Sequence, residues 1–498
     1  MSLVAGTETA ASPGTQARRG ITRRQALAAA AVTGLGIGAV RLLGGSMQSL
    51  ARPKPGSGAD WVSPLGSESA RVMQLLRRAS FGYTPTQLES ALSDGFNKTV
   101  DRLIETPPAE PPALDVASTP GGRFAVGQLQ QWWLDHMLST STPMAERMTL
   151  FWHGHFTSDY RKTADNTFMY WQNLTWRRMA MTNLRPMLME VTTDPAMLRY
   201  LDLATSTGQN PNENYSRELM ELFTMGPGNY SETDVREGAR ALSGLRILLF
   251  DASGTRMTSP RYSKSNPQAY LDQINTLVSS GATFRGVVVP RVHDSSTKTF
   301  LGHTGNLGPD DVIDIVLAQP SCAPFVTRRA MTFFANPNPS AADVNLVATQ
   351  FRSSRYDLRT LMRAIFRSSA FTAPSNYRSL MRSPTDYVVA AMRTLNRPAL
   401  ASIAVRSAAG MDQVLYDPPN VAGWPTNSGW ISSSSLLSRI NFATVATARA
   451  VTLPDVTAAV RTQLDSVLGK DTATALSAAK TPADRWFALL ASPEFHLK

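Results

Sequence analysis

The hydrophobic positions of this chain repeat with helical spacing over most of its length. From residue 67 onward, apolar residues three or four apart mark a series of amphipathic stretches. Ser67 and Thr84 are the clearest helix caps, and Gly95 breaks the second helix. Further helices are predicted at 128–138, 143–152, 168–181, 186–203, 214–225, 232–242, 310–317, 323–334, 342–352, 358–367 and 436–448.

Strand patterns are confined to the middle of the chain. Residues 245–250 are apolar apart from Arg246, and 287–289 and 299–301 are two further short apolar runs. The intervening residues 251–267 are rich in Ser, Arg and Pro, which predicts irregular structure. We therefore predict a mainly α, multi-helical globular domain with a minor β component. It spans residues 67–498, and any subdivision of it would fall near residues 250–300.

Composition and charge exclude several classes of protein. With 43% hydrophobic residues among 498, the chain can form a packed core, which excludes wholesale disorder. Cys322 is the only cysteine, so a disulfide framework, cysteine-based zinc sites and iron–sulfur clusters are excluded. The net charge is +11, but its basic residues are scattered and no nucleic-acid-binding motif accompanies them. The arginine pairs at 77–78, 177–178 and 328–329 lie in amphipathic patterns, which predicts a solvated helix face or a carboxylate partner for each. We expect no nucleic-acid partner.

Residues 1–51 predict a targeting segment. Their charged residues are five arginines and one glutamate, and the pair Arg23-Arg24 precedes an apolar Ala/Gly-rich stretch at 26–40. That stretch is shorter than the about 20 residues of a membrane span and is typical of a signal-peptide core. The arginine pair resembles the twin-arginine export signal. A Pro/Gly/Ser linker follows at 52–66.

We therefore expect export by the twin-arginine pathway to the periplasm, the cell envelope or the medium. No stable transmembrane span is expected after processing. The alternatives are a cytoplasmic protein with a basic tail and a protein that keeps the segment as a membrane anchor.

The first candidate for chemistry is a pair of histidines among aromatic residues at 151–156. His153 and His155 would point about 200° apart on a continuous helix, so they can share an ion only where the helix ends. Gly154 and the polar residues after it favour such an end. Imidazole is the commonest metal ligand, which makes the pair a candidate half-site. The alternative is two imidazoles that are each satisfied by a backbone carbonyl.

The second candidate is a group of acidic residues on the predicted helix at 214–225. Glu218 and Glu221 are neighbours on one helix face, where carboxylates can bind a metal or transfer protons. Glu221 also continues a ladder with Glu213 and Arg217 at four-residue steps, which is its alternative role. Glu218 lies beside an apolar stripe and is therefore the acid we expect to be functional.

The third candidate is the adjacent pair His293 and Asp294, in which the carboxylate can orient the imidazole. A turn stabilised by Asp294 is the alternative. Taken together, these residues predict a His/carboxylate site that binds a divalent metal. Its predicted catalytic residues are Glu218, His293 and Asp294. Its predicted metal ligands are His153, His155, Glu218 and Glu221.

We expect His153, His155 and Glu218 to lie together, because their apolar neighbours belong inside and buried polar groups need partners. His293 has neighbours typical of a loop. The sequence contains no G-x-S-x-G elbow, P-loop, Rossmann glycine fingerprint or H-E-x-x-H, so the common hydrolase, nucleotidase and zincin classes lack support.

Six segments of the chain, in order, resemble one bacterial family, catalogued as domain of unknown function 1800. These segments are residues 75–82, 151–156, 212–226, 293–294, 298–302 and 418–425. The resemblance implies a mainly helical exported protein, often encoded beside another uncharacterised exported family. The product of that neighbouring gene is the partner that the resemblance suggests. It implies no activity.

Two functions remain open on the sequence alone. One is an exported metal-dependent enzyme, hydrolytic or oxidative, that uses the His/carboxylate site. The other is a non-enzymatic envelope or extracellular protein, structural or binding, in which the same residues form a buried polar network. No pattern in the chain specifies the substrate, the metal or the oligomeric state.

Overall fold

The structure is a computed structural model that describes residues 61–114, 125–261, 265–448 and 452–498. The predicted signal segment and most of the predicted linker lie outside the described residues. No helix in these ranges is both long enough and apolar enough to cross a membrane.

Helices form most of the described chain, which confirms the mainly α prediction. The first half contains α1 (Glu68–Ala79), α2 (Pro85–Glu105), α3 (Val126–Ser139), α4 (Pro143–His155), α5 (Tyr160–Thr163), α6 (Asn166–Met179), α7 (Leu184–Thr193), α8 (Pro195–Tyr200), α9 (Asn214–Glu218), a π-helix (Leu219–Thr224) and α10 (Glu232–Ala241). The second half contains α11 (Pro267–Ser279), α12 (Pro309–Ala318), α13 (Cys322–Phe334), α14 (Ala341–Ser353), α15 (Leu358–Arg367), α16 (Ser369–Thr372), α17 (Pro384–Leu395), α18 (Ala401–Gly410), α19 (Ser433–Ala448), α20 (Val456–Gln463), α21 (Lys470–Ala478), α22 (Pro482–Leu490) and α23 (Pro493–His496).

The strands lie in the middle of the chain, as the sequence predicts. An antiparallel sheet has the order β2-β1-β3, and its strands are β1 (Leu245–Phe250), β2 (Arg256–Met257) and β3 (Thr283–Val288). A separate hairpin consists of β4 (Lys298–Phe300) and β5 (His303–Gly305). The structure thus adds the short strand β2 within a stretch that the sequence predicts to be irregular.

The local signals that define α1 and α2 are visible in their caps. Ser67 accepts a hydrogen bond from the backbone N–H of Ala70, and Thr84 forms a reciprocal capping box with Gln87. Gly95, with φ of 74°, kinks α2 where the sequence predicts a break.

Two apolar core clusters meet at α4. Phe151 and Trp152 belong to the cluster that also contains Trp176 and Phe334, whereas Leu150 belongs to the cluster around Tyr387. The helix is therefore covered on both sides, and polar side chains on it must find partners inside the protein.

The arginine pair of α1 is buried. Arg77 forms an ion pair with Asp465 at 2.8 Å. Arg78 donates to the carbonyl oxygens of Ala335 and Asn376, at 3.0 Å each. The interpretation of this pair as a solvated helix face is wrong, and a carboxylate partner is found for Arg77 alone.

Asp194, the buried N-cap of α8, makes the stability of the fold depend on pH. Its Oδ1 accepts hydrogen bonds from Met197 N–H and Gln172 Nε2, at 2.8 Å each. Burial raises the pKa of Asp194 to about 7, although these donors lower it. The native protein therefore keeps a proton above pH 4 that the unfolded chain has lost, so this group lowers the free energy of unfolding as pH rises to about 7.

Asp194→Asn keeps the accepting oxygen and mimics the protonated acid. We expect its melting temperature to equal that of wild type at pH 5 and to exceed it at pH 8. The stabilisation at pH 8 is on the order of a few kcal/mol. Thermal melts of both proteins across this range measure it. A melting difference that does not change with pH would contradict the assignment.

Candidate functional site

The two histidines of α4 face different parts of the core. Gly154 stays helical and α4 ends at His155, three residues beyond the predicted end at residue 152 and just before the polar residues that favour an end. Residues two apart on a helix point in nearly opposite directions. The ring of His153 contacts Trp133 and Trp424, and its Nε2 accepts a hydrogen bond from the backbone N–H of Tyr416 at 3.1 Å.

His155 lies in the other core cluster. Its Nε2 is 2.9 Å from the carbonyl oxygen of Phe223, and its ring stacks on Phe151 with centroids 5.5 Å apart. A carbonyl only accepts, so Nε2 carries the proton. This confirms the carbonyl-satisfied alternative for His155. Burial lowers the pKa of both His153 and His155 to about 3, so both imidazoles are neutral at physiological pH.

The acidic residues lie on α9 and the π-helix that follows it. Burial and the neighbouring Glu221 raise the pKa of Glu218, which is half-buried. Glu221 accepts a hydrogen bond from the hydroxyl of Tyr230. Arg217 pairs with Glu213 at 3.3 Å, so the first step of the predicted ladder is present. Its second partner is not Glu221 but Glu232 of α10, at 2.7 Å.

His293 and Asp294 occupy a turn next to α10. Nδ1 of His293 is 2.8 Å from the carbonyl oxygen of Ser243. Asp294 accepts hydrogen bonds from Ser296 N–H at 2.9 Å and from Arg240 Nε at 2.8 Å. These bonds, against the opposing effect of burial, lower the pKa of Asp294 to about 2. The turn alternative accounts for these contacts.

The structure does not bring the predicted site residues together on one ion. In the part of the chain that it describes, no group of three or more His, Cys, Asp or Glu side chains is placed to hold a metal ion. His155 bonds to Phe223 of the π-helix, whereas α4 directs His153 into the opposite core cluster, and His293 has its own partner in Ser243.

A cavity of about 230 Å³ lies beside α4. We call it the α4 cavity. Its walls come from α4, from α13, from the segment 424–430 and from the last residue, Lys498. Its charged and larger lining side chains are those of Arg147, Phe151, His155, Arg328, Arg329, Phe333, Leu380, Met381, Trp424, Trp430 and Lys498.

A close approach of two glycines builds one wall of the α4 cavity. A Cβ on Gly423 would lie 2.1 Å from the carbonyl oxygen of Gly154, and the φ of Gly423 is +88°. Only glycine fits this position without strain. The contact seats Trp424 on α4, with its ring 3.6 Å from the Cβ position of Gly154.

The charged groups of the α4 cavity are all cationic. Its described lining contains Arg147, Arg328, Arg329 and Lys498 and no Asp or Glu. Arg147 and Lys498 pair with the buried Asp386 behind the wall. Arg328 is exposed and donates to a carbonyl oxygen at 2.9 Å.

Arg329 is the exception among these cations. It has no hydrogen bond or ion pair with any residue in the described ranges, and it is half-buried. Burial lowers the pKa of Arg329, and no carboxylate offsets that effect. A half-buried, unpaired guanidinium at a cavity is a strong anion-binding group.

Three further polar groups of the α4 cavity are buried without a hydrogen-bond partner in the described structure. They are Nε of Arg147, Nδ1 of His155 and Nε1 of Trp424. Nη1 of Arg147 lies 3.2 Å from Asp386, but the two are not aligned for a hydrogen bond. These three atoms are shielded from the cavity space as well, so a ligand there would not reach them without a rearrangement.

The family model described as a protein of unknown function, DUF1800, matches residues 74–497. The chain belongs to the DUF1800 family. No curated protein and no solved structure matches it. The range matched by the DUF1800 model includes every residue named for the α4 cavity except Lys498.

Sequence reasoning missed the residues that give this DUF1800 chain its cavity. Arg328 and Arg329 are an arginine pair within a helical pattern, which suggested a solvated helix face or a carboxylate partner. That description fits Arg328 but not Arg329. Trp424 stands in one of the family-like segments, but nothing local shows that it contacts α4.

Proposed function

We propose that this protein is an exported binding protein whose α4 cavity holds a small organic anion with an apolar body. The single observation that carries the proposal is Arg329, a half-buried guanidinium at the α4 cavity that has no hydrogen bond or ion pair in the described ranges. A charged group withdrawn from water is costly without a counter-ion, and a ligand anion at the cavity would supply one to Arg329. This is the non-enzymatic binding function of the two that the sequence left open.

The charge of the lining selects an anion. Arg329 is free to pair, and the described lining of the cavity contains no carboxylate that would repel an anion. A carboxylate or phosphate oxygen accepts from such donors, and bonds of this kind are roughly twice as strong as neutral ones.

The remaining walls select an apolar, preferably aromatic body. Phe151, Phe333, Trp424 and Trp430 supply ring surfaces, and Leu380 and Met381 supply aliphatic surface. A cavity of roughly 150 Å³ holds one benzene ring. The α4 cavity, at about 230 Å³, accommodates a larger, bicyclic body.

We expect the full exported chain to bind 2-naphthoate at one site, as measured by isothermal titration calorimetry. Arg329→Gln should weaken this binding by about 10-fold or more, because a charged hydrogen bond contributes about 1.5–3 kcal/mol. The matched control is Arg328→Gln, which removes an equal charge one residue away. We expect its affinity to stay within about 2-fold of wild type, because rim charges contribute little. Equal losses in both variants, or no saturable binding to wild type, would contradict the proposal.

Export is supported by the order of the twin-arginine pair, apolar stretch and linker in the first 66 residues. We expect replacement of both Arg23 and Arg24 by lysine to retain the protein in the cytoplasm. The charge is unchanged, but lysine lacks the planar guanidinium that the receptor reads. Cell fractionation and immunoblotting measure the distribution. Unchanged secretion of the double variant would exclude the twin-arginine route.

A further inference from the structure

We propose that the anionic group of the ligand is held on one face of α13, by the guanidinium of Arg329 and the hydroxyl of Thr332 together. This inference rests on the anion-binding function proposed above and assigns a second binding residue to the same site. The ligand class is a carboxylate, whose two oxygens bind to both side chains at once.

Arg329 and Thr332 are neighbours on the surface of α13. Residues three apart on a helix have Cβ atoms about 5–6 Å apart on one face. Both side chains line the α4 cavity, and both are half-buried. Phe333, four residues after Arg329, lines the cavity on the same side of the helix. This face of α13 therefore presents a cation, a hydroxyl and an aromatic ring to one space.

The hydroxyl of Thr332 has no partner within its own helix. A threonine hydroxyl inside a helix often donates to the carbonyl oxygen four residues earlier, as Thr192 does to Leu188 at 2.7 Å. The corresponding carbonyl for Thr332 is that of Arg328. Thr332 makes no such bond, and its side chain has no hydrogen bond with any residue in the described ranges. The hydroxyl is therefore free to donate to a ligand.

The hydroxyl oxygen of Thr332 is also accessible. Oγ1 of Thr332 is not among the fully buried atoms that lack a partner in the described structure, so it keeps accessible surface. In this it differs from Nδ1 of His155 and Nε1 of Trp424, which are shielded. Because the side chain of Thr332 lines the α4 cavity, a ligand there reaches its hydroxyl without a rearrangement.

One carboxylate suits both groups. It only accepts hydrogen bonds and has about four lone-pair sites, whereas a guanidinium donates and a hydroxyl can donate. Arg329 supplies the compensating charge, and Thr332 adds a second donor that fixes the orientation of the carboxylate. The aromatic body of the ligand then lies against Phe333 and Phe151, whose ring centroids are 5.5 Å apart.

The test measures 2-naphthoate binding to the full exported chain by isothermal titration calorimetry. Thr332→Val keeps the shape of the side chain and removes only a hydroxyl that has no described partner to lose, so we expect the variant to fold. We expect binding to weaken about 10-fold or more, because a hydrogen bond to a charged group is lost. Thr332→Ser, which restores the hydroxyl, should recover most of the affinity.

The matched control is Thr426→Val. Thr426 also lines the cavity and has no described side-chain partner, but it is exposed and lies on the segment 424–430. We expect its affinity to stay within about 2-fold of wild type, because an exposed hydroxyl exchanges its hydrogen bonds with water at little net cost.

A double variant shows whether Arg329 and Thr332 bind the same group of the ligand. Groups that share one partner are not additive, whereas independent groups are. In the Arg329→Gln background the carboxylate has lost its anchor, so we expect the added Thr332→Val to weaken binding by less than about 3-fold. Losses that multiply fully would place the two side chains on separate parts of the ligand and contradict the proposal.

The remaining outcomes separate the role of Thr332 from anion binding itself. If wild type and Thr332→Val bind 2-naphthoate equally, or if Thr426→Val loses as much as Thr332→Val, the role of Thr332 is overturned while anion binding at Arg329 stands. If wild type shows no saturable binding, both proposals are overturned.

Discussion

Asp386→Asn is expected to lower the free energy of unfolding by about 3–5 kcal/mol. Asp386 is fully buried and is the shared counter-ion of three cations. Its carboxylate contacts Lys498, lies 3.2 Å from Arg147, and lies 3.5 Å from Arg382. Burial alone would raise the pKa of Asp386, but these cations hold it well below its usual range. Asparagine leaves the three charges without compensation, which is far more costly than losing one exposed pair.

Urea denaturation followed by circular dichroism measures this loss as a shift of the midpoint. The matched control is Asp310→Asn, because Asp310 pairs with Arg185 at 3.3 Å but is 71% exposed. A surface pair of this kind contributes about 0–1 kcal/mol. Midpoints for the two variants that agree within error would show that the buried cluster does not stabilise the fold.

Gly423→Ala is the second substitution with a large expected effect, about 3–5 kcal/mol of lost stability. The φ of +88° strains any L side chain, and the new Cβ would lie 2.1 Å from the carbonyl oxygen of Gly154, where no atom fits. The backbone of the segment must therefore move away from α4, which displaces Trp424 from the cavity wall.

Gly228→Ala separates the strain of a positive φ from the steric clash of the new Cβ. Gly228 has a similar φ of +80°, but nothing lies within 4 Å of its Cβ position. We expect this control to lose only about 1–2 kcal/mol of stability, which is the strain of an L side chain at positive φ. Thermal melts compare the variants, and equal losses would mean that the contact between Gly423 and Gly154 does not constrain the fold.

The elements of this fold could be predicted because their signals are local. The cap at Ser67 and the kink at Gly95 follow from single residues and their neighbours. The predicted end of α4 at residue 152 is three residues short, and the reason is physical. Glycine is a weak helix former, but packing on both sides of α4 overrides that preference and carries the helix on through His155.

The candidate site could not be predicted in the same way because it consists of long-range contacts. The ring of Trp424, which lies far along the chain from α4, is 3.6 Å from the Cβ position of Gly154 on that helix. Histidines and carboxylates are candidate site residues by their type alone, whereas Arg329 is distinguished only by the absence of a described partner. That property exists only in the folded protein.

The most direct test of anion binding in the α4 cavity is a crystal structure of the protein with 6-bromo-2-naphthoate. The bromine locates the ligand by anomalous scattering, independently of any assumption about its pose. We expect one bromine peak inside the α4 cavity, with the ligand carboxylate within hydrogen-bond distance of Arg329. A cavity that stays empty at saturating ligand, or a carboxylate directed away from Arg329, would contradict it.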